Sequence, residues 1–189
     1  MRRIRLVIEN LEPELSEWLY LEYAAASRYW GGAIFTNVPP DMEKRLLSLG
    51  EVQRRSFREL FRDEEVIILD PQAEKPLRHE DFREAEVIVV GGILGYEKPR
   101  GRTAKHITRE LKCRARHLGK VQLSIDTAAL VARLIYLGES LENIEVTREV
   151  EVRLGENERV VLPYGYVVYN GRVMLTPGIV EYLAGEGEG

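Results

Sequence analysis

Apolar positions in this chain come in short blocks divided by turn residues, each block the length of one strand or helix. Residues 4–9 (IRLVIE) read as a strand with apolar alternation that ends in an acid. Pro13 lies in the loop that follows. Ser16 is placed to cap a helix running to about Tyr29, with Leu19, Tyr23 and Ala26 on one face and Glu17 and Trp18 in its first turn. Gly31-Gly32 stop that helix, and residues 33–36 give a second strand. Pro39-Pro40 open a helix over 41–49 that Gly50 ends. A short helix over 56–61 leads to a third strand, Val66-Ile67-Ile68-Leu69, broken by Asp70-Pro71. Another short helix over 79–85 precedes Val87-Ile88-Val89-Val90, whose unbroken β-branched run suits a strand buried on both faces of a parallel sheet.

After that run the pattern predicts a basic helix over 103–111, a short strand over 112–118 and a loop over 121–126. An apolar helix over 127–137 follows, ended by Gly138. Repeated βα order implies an α/β protein, a parallel sheet with helices on both faces. From Ile144 the texture changes to short strands over 145–154, 159–162 and 164–169, with Asn170-Gly171 as a hairpin turn and Thr176-Pro177 capping a last short helix. The expected division is a core over 1–143 and a small β-rich extension over 144–189 packed on it.

Composition narrows the class. At 189 residues, 44% hydrophobic and 31% charged, the chain reads as a soluble globular protein with a full core. No apolar run approaches membrane-spanning length, and the segment after Met1-Arg2-Arg3 lacks a signal peptide's apolar stretch. One cysteine, Cys113, rules out an internal disulfide and fits a reducing cytoplasm. Abundant Arg and Glu with scarce Cys, Gln and Asn point to a thermophilic source. The net charge of −4 is unevenly spread: nine Lys or Arg and one acid, Glu110, fall between Lys98 and Lys120. A solvated helix face accounts for such a stripe, and so does a surface for phosphate, while the acidic remainder suits a cationic partner.

Three loops stand at strand ends, where open α/β sheets bind their ligands. They are Leu69-Asp70-Pro71, Gly91-Gly92-Ile93-Leu94-Gly95 and the segment from Leu118-Gly119 to Ala128. Glycines in the second loop let backbone groups approach a ligand closely, or serve a tight βα turn with no ligand at all. The dinucleotide fingerprint is missing, and Gly119-Lys120 lacks the upstream glycine of a Walker loop because position 114 is Arg. His79, His106 and His117 show no metal-ligand spacing, so no zinc is expected.

At these residues the sequence resembles the SPOUT class of S-adenosylmethionine-dependent methyltransferases. More narrowly it is similar to the archaeal and eukaryotic branch that includes a yeast ribosomal-protein arginine methyltransferase. The similarity runs through Ile8-Glu9, Ser16-Glu17-Trp18, Leu21-Glu22-Tyr23, Leu69-Asp70-Pro71 and the glycine loop. It continues at Pro99-Arg100, Arg102-Thr103, Leu118-Gly119 and Asp126-Thr127-Ala128. Gly101, Ile125 and Tyr96-Glu97 depart from the branch pattern.

The resemblance implies a SPOUT fold with a deep trefoil knot and S-adenosylmethionine as cofactor, S-adenosylhomocysteine as product, and no metal. It implies cofactor contacts at Leu69, Pro71, Gly91, Gly92, Ile93, Leu94, Gly95, Leu118, Gly119, Ser124, Ile125, Thr127 and Ala128. An arginine acceptor needs carboxylates to hold its guanidinium and take a proton. Glu9, Glu17 and Asp126 are the catalytic candidates, and Trp18, Glu22, Arg100 and Arg102 the substrate-binding ones. Glu17 also suits a helix N-terminus, Asp126 a cap at Thr127, and Trp18, Tyr164 and Tyr166 either flank an acceptor or pack. The favoured acceptor is a ribosomal-protein arginine. An RNA acceptor bound through the Lys98–Lys120 stripe, and a non-catalytic ribosome-assembly factor, are the rivals. A monomer is favoured, with a SPOUT-type homodimer the alternative.

Overall fold

The structure, a computed structural model, describes residues 3–92 and 114–185. The basic helix expected over 103–111, and Ile93, Leu94, Gly95, Arg100 and Arg102, lie outside the described residues. A six-stranded sheet forms the centre, in the order β3-β2-β1-β5-β4-β6. Its strands are β1 (Arg5–Asn10), β2 (Ala33–Thr36), β3 (Glu51–Val52), β4 (Val66–Leu69), β5 (Val87–Gly92) and β6 (Arg114–Arg116). Every pairing in it is parallel, so all carboxyl ends open on one edge.

Strand parity sorts the core into two layers. Leu6 and Ile8 of β1, Ile67 and Leu69 of β4 and Ile88 and Val90 of β5 face one layer with α1 (Glu17–Trp30), α2 (Pro40–Leu46) and α4 (Ile125–Tyr136). Val7, Val66, Ile68, Val87 and Val89 face the other, where Phe57 of the single turn α3 (Phe57–Leu60) covers them. Side chains alternate with period two along a strand, so each strand has apolar residues on both faces.

Local chemistry explains the helix ends. Ser16 caps α1 by accepting from the Leu19 amide at 3.1 Å, and Gly31, with φ +69°, closes it in the left-handed conformation. α1 and α4 pack together, and the Trp30 indole donates to the Ala129 carbonyl of α4 at 2.8 Å. Among the described residues no helix is long and apolar enough to cross a membrane.

Several boundaries differ from the pattern. β3 is a two-residue edge strand, too short to leave a periodic signal. α2 ends at Leu46, three residues before the expected stop, and the helix expected over 79–85 is a 3-10 helix over His79–Arg83. α4 begins at Ile125, two residues early, because Ser124 caps it. The expected strand over 145–154 is β7 (Val150–Arg153) plus one bridge from Val146 to Val167, and β7 pairs with β8 (Arg159–Leu162). Only β9 (Val168–Tyr169) remains of the strand over 164–169. It pairs with β10 (Arg172–Val173) across Asn170-Gly171, both at positive φ as the hairpin turn requires. Gly178 rather than Thr176-Pro177 precedes α5 (Ile179–Leu183), which frees Thr176 for another partner.

Candidate functional site

Two loop ends expected at the cofactor meet through β4 and β6. Leu69 pairs with Arg116, and the Asp70 amide donates to the Arg116 carbonyl at 2.9 Å. Asp70 then turns the chain, its Oδ1 accepting from the Gln72 amide at 2.8 Å and leaving Pro71 exposed. Beyond β6 the Gly119 amide donates to His117 Nδ1 at 3.0 Å, and Gly119 sits at φ +99°, a conformation that favours glycine. Gly91 and Gly92 end β5, which lies beside β4 on the same sheet edge. Leu118, Leu123 and Ala128 are half-buried apolar residues packed on the core, and Ser124, Ile125 and Thr127 are buried. Half-buried apolar walls beside strand-end backbone fit an adenosyl group and a methionine stem.

The third loop is tied to α1 by a carboxylate. Glu22 Oε2 accepts from the Ile125 amide at 3.0 Å, and its Oε1 accepts from the Trp18 indole at 2.8 Å. Trp18 and Glu22 are four apart on one helix face, which lets them meet. Trp18 is further held edge-on by Tyr164 and Tyr182, with ring centroids 6.5 and 6.4 Å away. Asp126, one residue beyond the amide that Glu22 holds, accepts from the Ser124 hydroxyl at 2.8 Å and the Thr176 hydroxyl at 3.1 Å. Ser124 also caps α4, accepting from the Thr127 amide at 3.3 Å.

Glu22 and Asp126 are 1% exposed each. Burial first, and then the neighbouring Asp126 charge, push Glu22 from 4.5 up to about 8, against the two hydrogen bonds it accepts. Burial raises Asp126 from 3.8 to about 6, opposed by Ser124, Thr176 and the amides of its own helix turn. Tyr29 on α1 and Tyr166 are both raised, chiefly by burial and also by these charges. Among the described residues neither carboxylate has a lysine or arginine partner. A buried acid pair without a base is costly unless a cation completes it.

The other two carboxylates lie elsewhere. Glu9 has the parity of Val7, so it projects to the sheet face opposite α1 and α4. There it accepts from the Thr36 hydroxyl, the Ser56 hydroxyl at 2.6 Å and the Phe57 amide at 3.1 Å, joining β1, β2 and α3. Glu17 is half-exposed and accepts from Arg45 of α2 at 2.6 Å, while that guanidinium also lies 4.4 Å from the Tyr20 ring centroid. The structure therefore brings Trp18, Glu22, Ser124, Ile125, Asp126 and Thr127 together and leaves Glu9 and Glu17 apart. Thr176 escaped the sequence reading, since a Thr-Pro pair before a helix reads as a cap.

A family model described as protein arginine N-methyltransferase SFM1-like matches residues 5–188. The chain belongs to this family. It is 32% identical to protein arginine N-methyltransferase SFM1 of Saccharomyces cerevisiae, over 95% of this chain and 94% of that protein. Crystal structures of the yeast arginine methyltransferase SFM1 complexed with SAH and with SAM each superpose with a TM-score of 0.87 at 30% identity. They cover 95% and 98% of this chain and 94% and 92% of theirs. A Trm10 protein from Thermococcus kodakaraensis shares the fold at 16% identity, with a TM-score of 0.56 over 73% of this chain and 95% of that one. The SFM1-like family thus has the mainly parallel α/β sheet of SPOUT proteins, with the described loop ends on its carboxyl edge.

Proposed function

We propose that the protein transfers a methyl group from S-adenosylmethionine to an arginine side chain of a ribosomal protein. The observation that carries this reading is the buried Glu22–Asp126 pair, which has no lysine or arginine partner among the described residues and adjoins the third cofactor loop through the Ile125 amide. Membership of the SFM1-like family supports the same chemistry. The cofactor, when bound, supplies a methyl group on a positively charged sulfur together with a neutral thioether leaving group.

Leu69, Gly91, Gly92, Leu118 and Ala128 line its place, and the protein's own acids handle the acceptor. Glu22 and Asp126 hold the guanidinium by charge-assisted hydrogen bonds, replacing the proton that Glu22 carries in the free enzyme. Trp18 and the Ile125 amide fix the Glu22 carboxylate, and Ser124 and Thr176 fix that of Asp126. Glu22, the acid with the greater proton affinity, takes up the proton that the reacting nitrogen gives up. Holding the acceptor in one orientation is the larger part of the catalysis, because the methyl donor is already activated.

The acidic remainder of the chain favours a basic ribosomal protein as partner. RNA is the weaker reading, because two members of the basic stripe already pair with acids of the fold. Arg116 binds Asp81 through Nε and one terminal nitrogen, a single edge of its guanidinium, and Arg114 pairs with Glu84. The finer fold belongs to the same proposal: a trefoil knot, a core over 1–143 and an extension over 144–189. Its support is the strand order, in which β6 lies on the far side of β4 from β5. The monomer expected from the sequence is supported by the C-terminal residues that lie against α1; a solution mass at twice 21.7 kDa would overturn it.

The deciding experiment is transfer of radiolabelled methyl from S-adenosylmethionine to small ribosomal subunits lacking native methylation, split into protein and RNA. Methylarginine in one protein band is the expected result. Label in RNA moves the reading to an RNA acceptor, and no label with the cofactor bound moves it to an assembly factor.

A further inference from the structure

The Tyr166 side chain is fully buried, and its hydroxyl makes no hydrogen bond. Leaving a buried hydroxyl unpaired costs on the order of 1–3 kcal/mol, and buried polar groups in folded proteins are paired in the large majority of cases. The position is not a loose one. The backbone is fixed on both sides: the Tyr166 amide donates to the Thr147 hydroxyl at 3.0 Å, and the Tyr166 carbonyl accepts from the Thr147 amide at 2.9 Å. Its ring packs in the cluster of Val152, Leu162 and Tyr164.

The surroundings say what the hydroxyl is for. Trp18, whose indole donates to Glu22, packs on the same cluster as the Tyr166 ring, and the charges of Glu22 and Asp126 both bear on the hydroxyl, so it stands beside the pair. Thr176, also a neighbour of the hydroxyl, spends its own proton on Asp126 at 3.1 Å. An unpaired hydroxyl beside two carboxylates that have no basic partner among the described residues is an incomplete site. A guanidinium carries five N–H donors in a rigid plane, enough for both acids and a third acceptor.

We infer that the Tyr166 hydroxyl binds the substrate guanidinium as the third acceptor of the pocket, alongside Glu22 from α1 and Asp126 from α4. This rests on the reading of that pair as the arginine site. As a neutral acceptor, the hydroxyl orients one nitrogen without adding a third negative charge to the buried pocket. It is a substrate-contacting residue supplied by the C-terminal segment, which explains why that segment lies against α1 and α4.

Tyr166→Phe keeps the ring and removes only the hydroxyl. Because the free protein has nothing paired to lose there, its melting midpoint should equal or exceed that of the parent. The kcat/KM for methyl transfer to ribosomal proteins from an unmethylated strain should fall roughly ten- to a hundred-fold, the loss of one hydrogen bond to a charged group. A binding readout accompanies it. With S-adenosylhomocysteine present, titration of Nα-acetyl-arginine amide should shift the Trp18 indole N–H resonance in the parent and need a higher concentration in the variant. The Trp30 indole, bonded to Ala129, serves as the unmoved control. Unchanged rate and binding overturn the inference, and so does a midpoint lowered by several degrees, which would show a structural partner. Glu22→Gln and Asp126→Asn separate the two readings. If both lose turnover while Tyr166→Phe keeps it, only the tyrosine assignment fails; if both keep full turnover, the arginine site itself is misplaced.

Discussion

Glu22 makes the free protein's stability depend on pH in the direction opposite to an ordinary salt-bridged acid. Its proton affinity is higher in the folded chain than in the unfolded one, so the native state retains a proton that the unfolded state releases. The stabilisation is complete below about pH 4.5 and disappears as pH rises through about 8. Asp126 acts with the same sign between about 3.8 and 6. At about 1.4 kcal/mol per pKa unit the Glu22 effect alone is on the order of several kcal/mol. Melting midpoints should fall between pH 6 and 9, and Glu22→Gln, which carries no charge to bury, should flatten that slope while lowering turnover about 10²-fold or more. A parent profile flat over this range would contradict the acid-pair description. Glu22 was named from the sequence through the family resemblance, as a substrate-binding candidate. Its burial beside Asp126 was not, because the two are 104 residues apart and meet only through helix packing.

The N-terminus of α4 shows why one capping residue was chosen among several. Ser124, Asp126 and Thr127 all have capping side chains. Glu22 holds the Ile125 amide, and the cap falls two residues before Asp126, at Ser124, which leaves Asp126 inside the first turn and turned toward Thr176. Ser124→Ala should cost about 1 kcal/mol as a lost cap, measured by chemical denaturation. It should also weaken turnover beyond what that loss explains, since Ser124 donates to Asp126. Equal losses of stability and activity would reduce Ser124 to a cap alone. Glu9 teaches the same lesson from a strand: ending β1 in an acid was legible, but period two decides the face, and the face turns it toward Ser56.

Two contacts hold the C-terminal half to the sheet and the site. Arg116 and Asp81 are largely buried, with 18% and 13% side-chain exposure, and join β6 to the turn before β5. Arg116→Ala should destabilise by on the order of 2–3 kcal/mol, because it leaves Asp81 without its partner. That loss should persist at high salt, whereas weakened RNA binding with normal stability would return the stripe to an RNA surface. Gly165 is the other contact. Its amide donates to the Gln122 carbonyl at 2.8 Å, and a Cβ there would lie 2.6 Å from both the Thr147 carbonyl oxygen and Val121 Cγ1. Gly165→Ala should cost about 1–3 kcal/mol through overpacking and weaken cofactor binding by calorimetry, since it displaces the loop leading to Ser124. Cofactor affinity unchanged in that variant would separate the loop from the cofactor.

The parallel α/β class, five of the six sheet strands, the three strand-end loops and the family were legible in the chain's own pattern. These depend on period, on glycine and proline placement, and on residues close together in the chain. Which acids are buried together, the pairing of Arg114 and Arg116 with Glu84 and Asp81, and the approach of Tyr166 and Thr176 to those acids came from the fold alone. Those outcomes depend on burial and on strand parity between elements far apart in sequence, and a single chain's pattern holds no record of which distant side chains will be desolvated together.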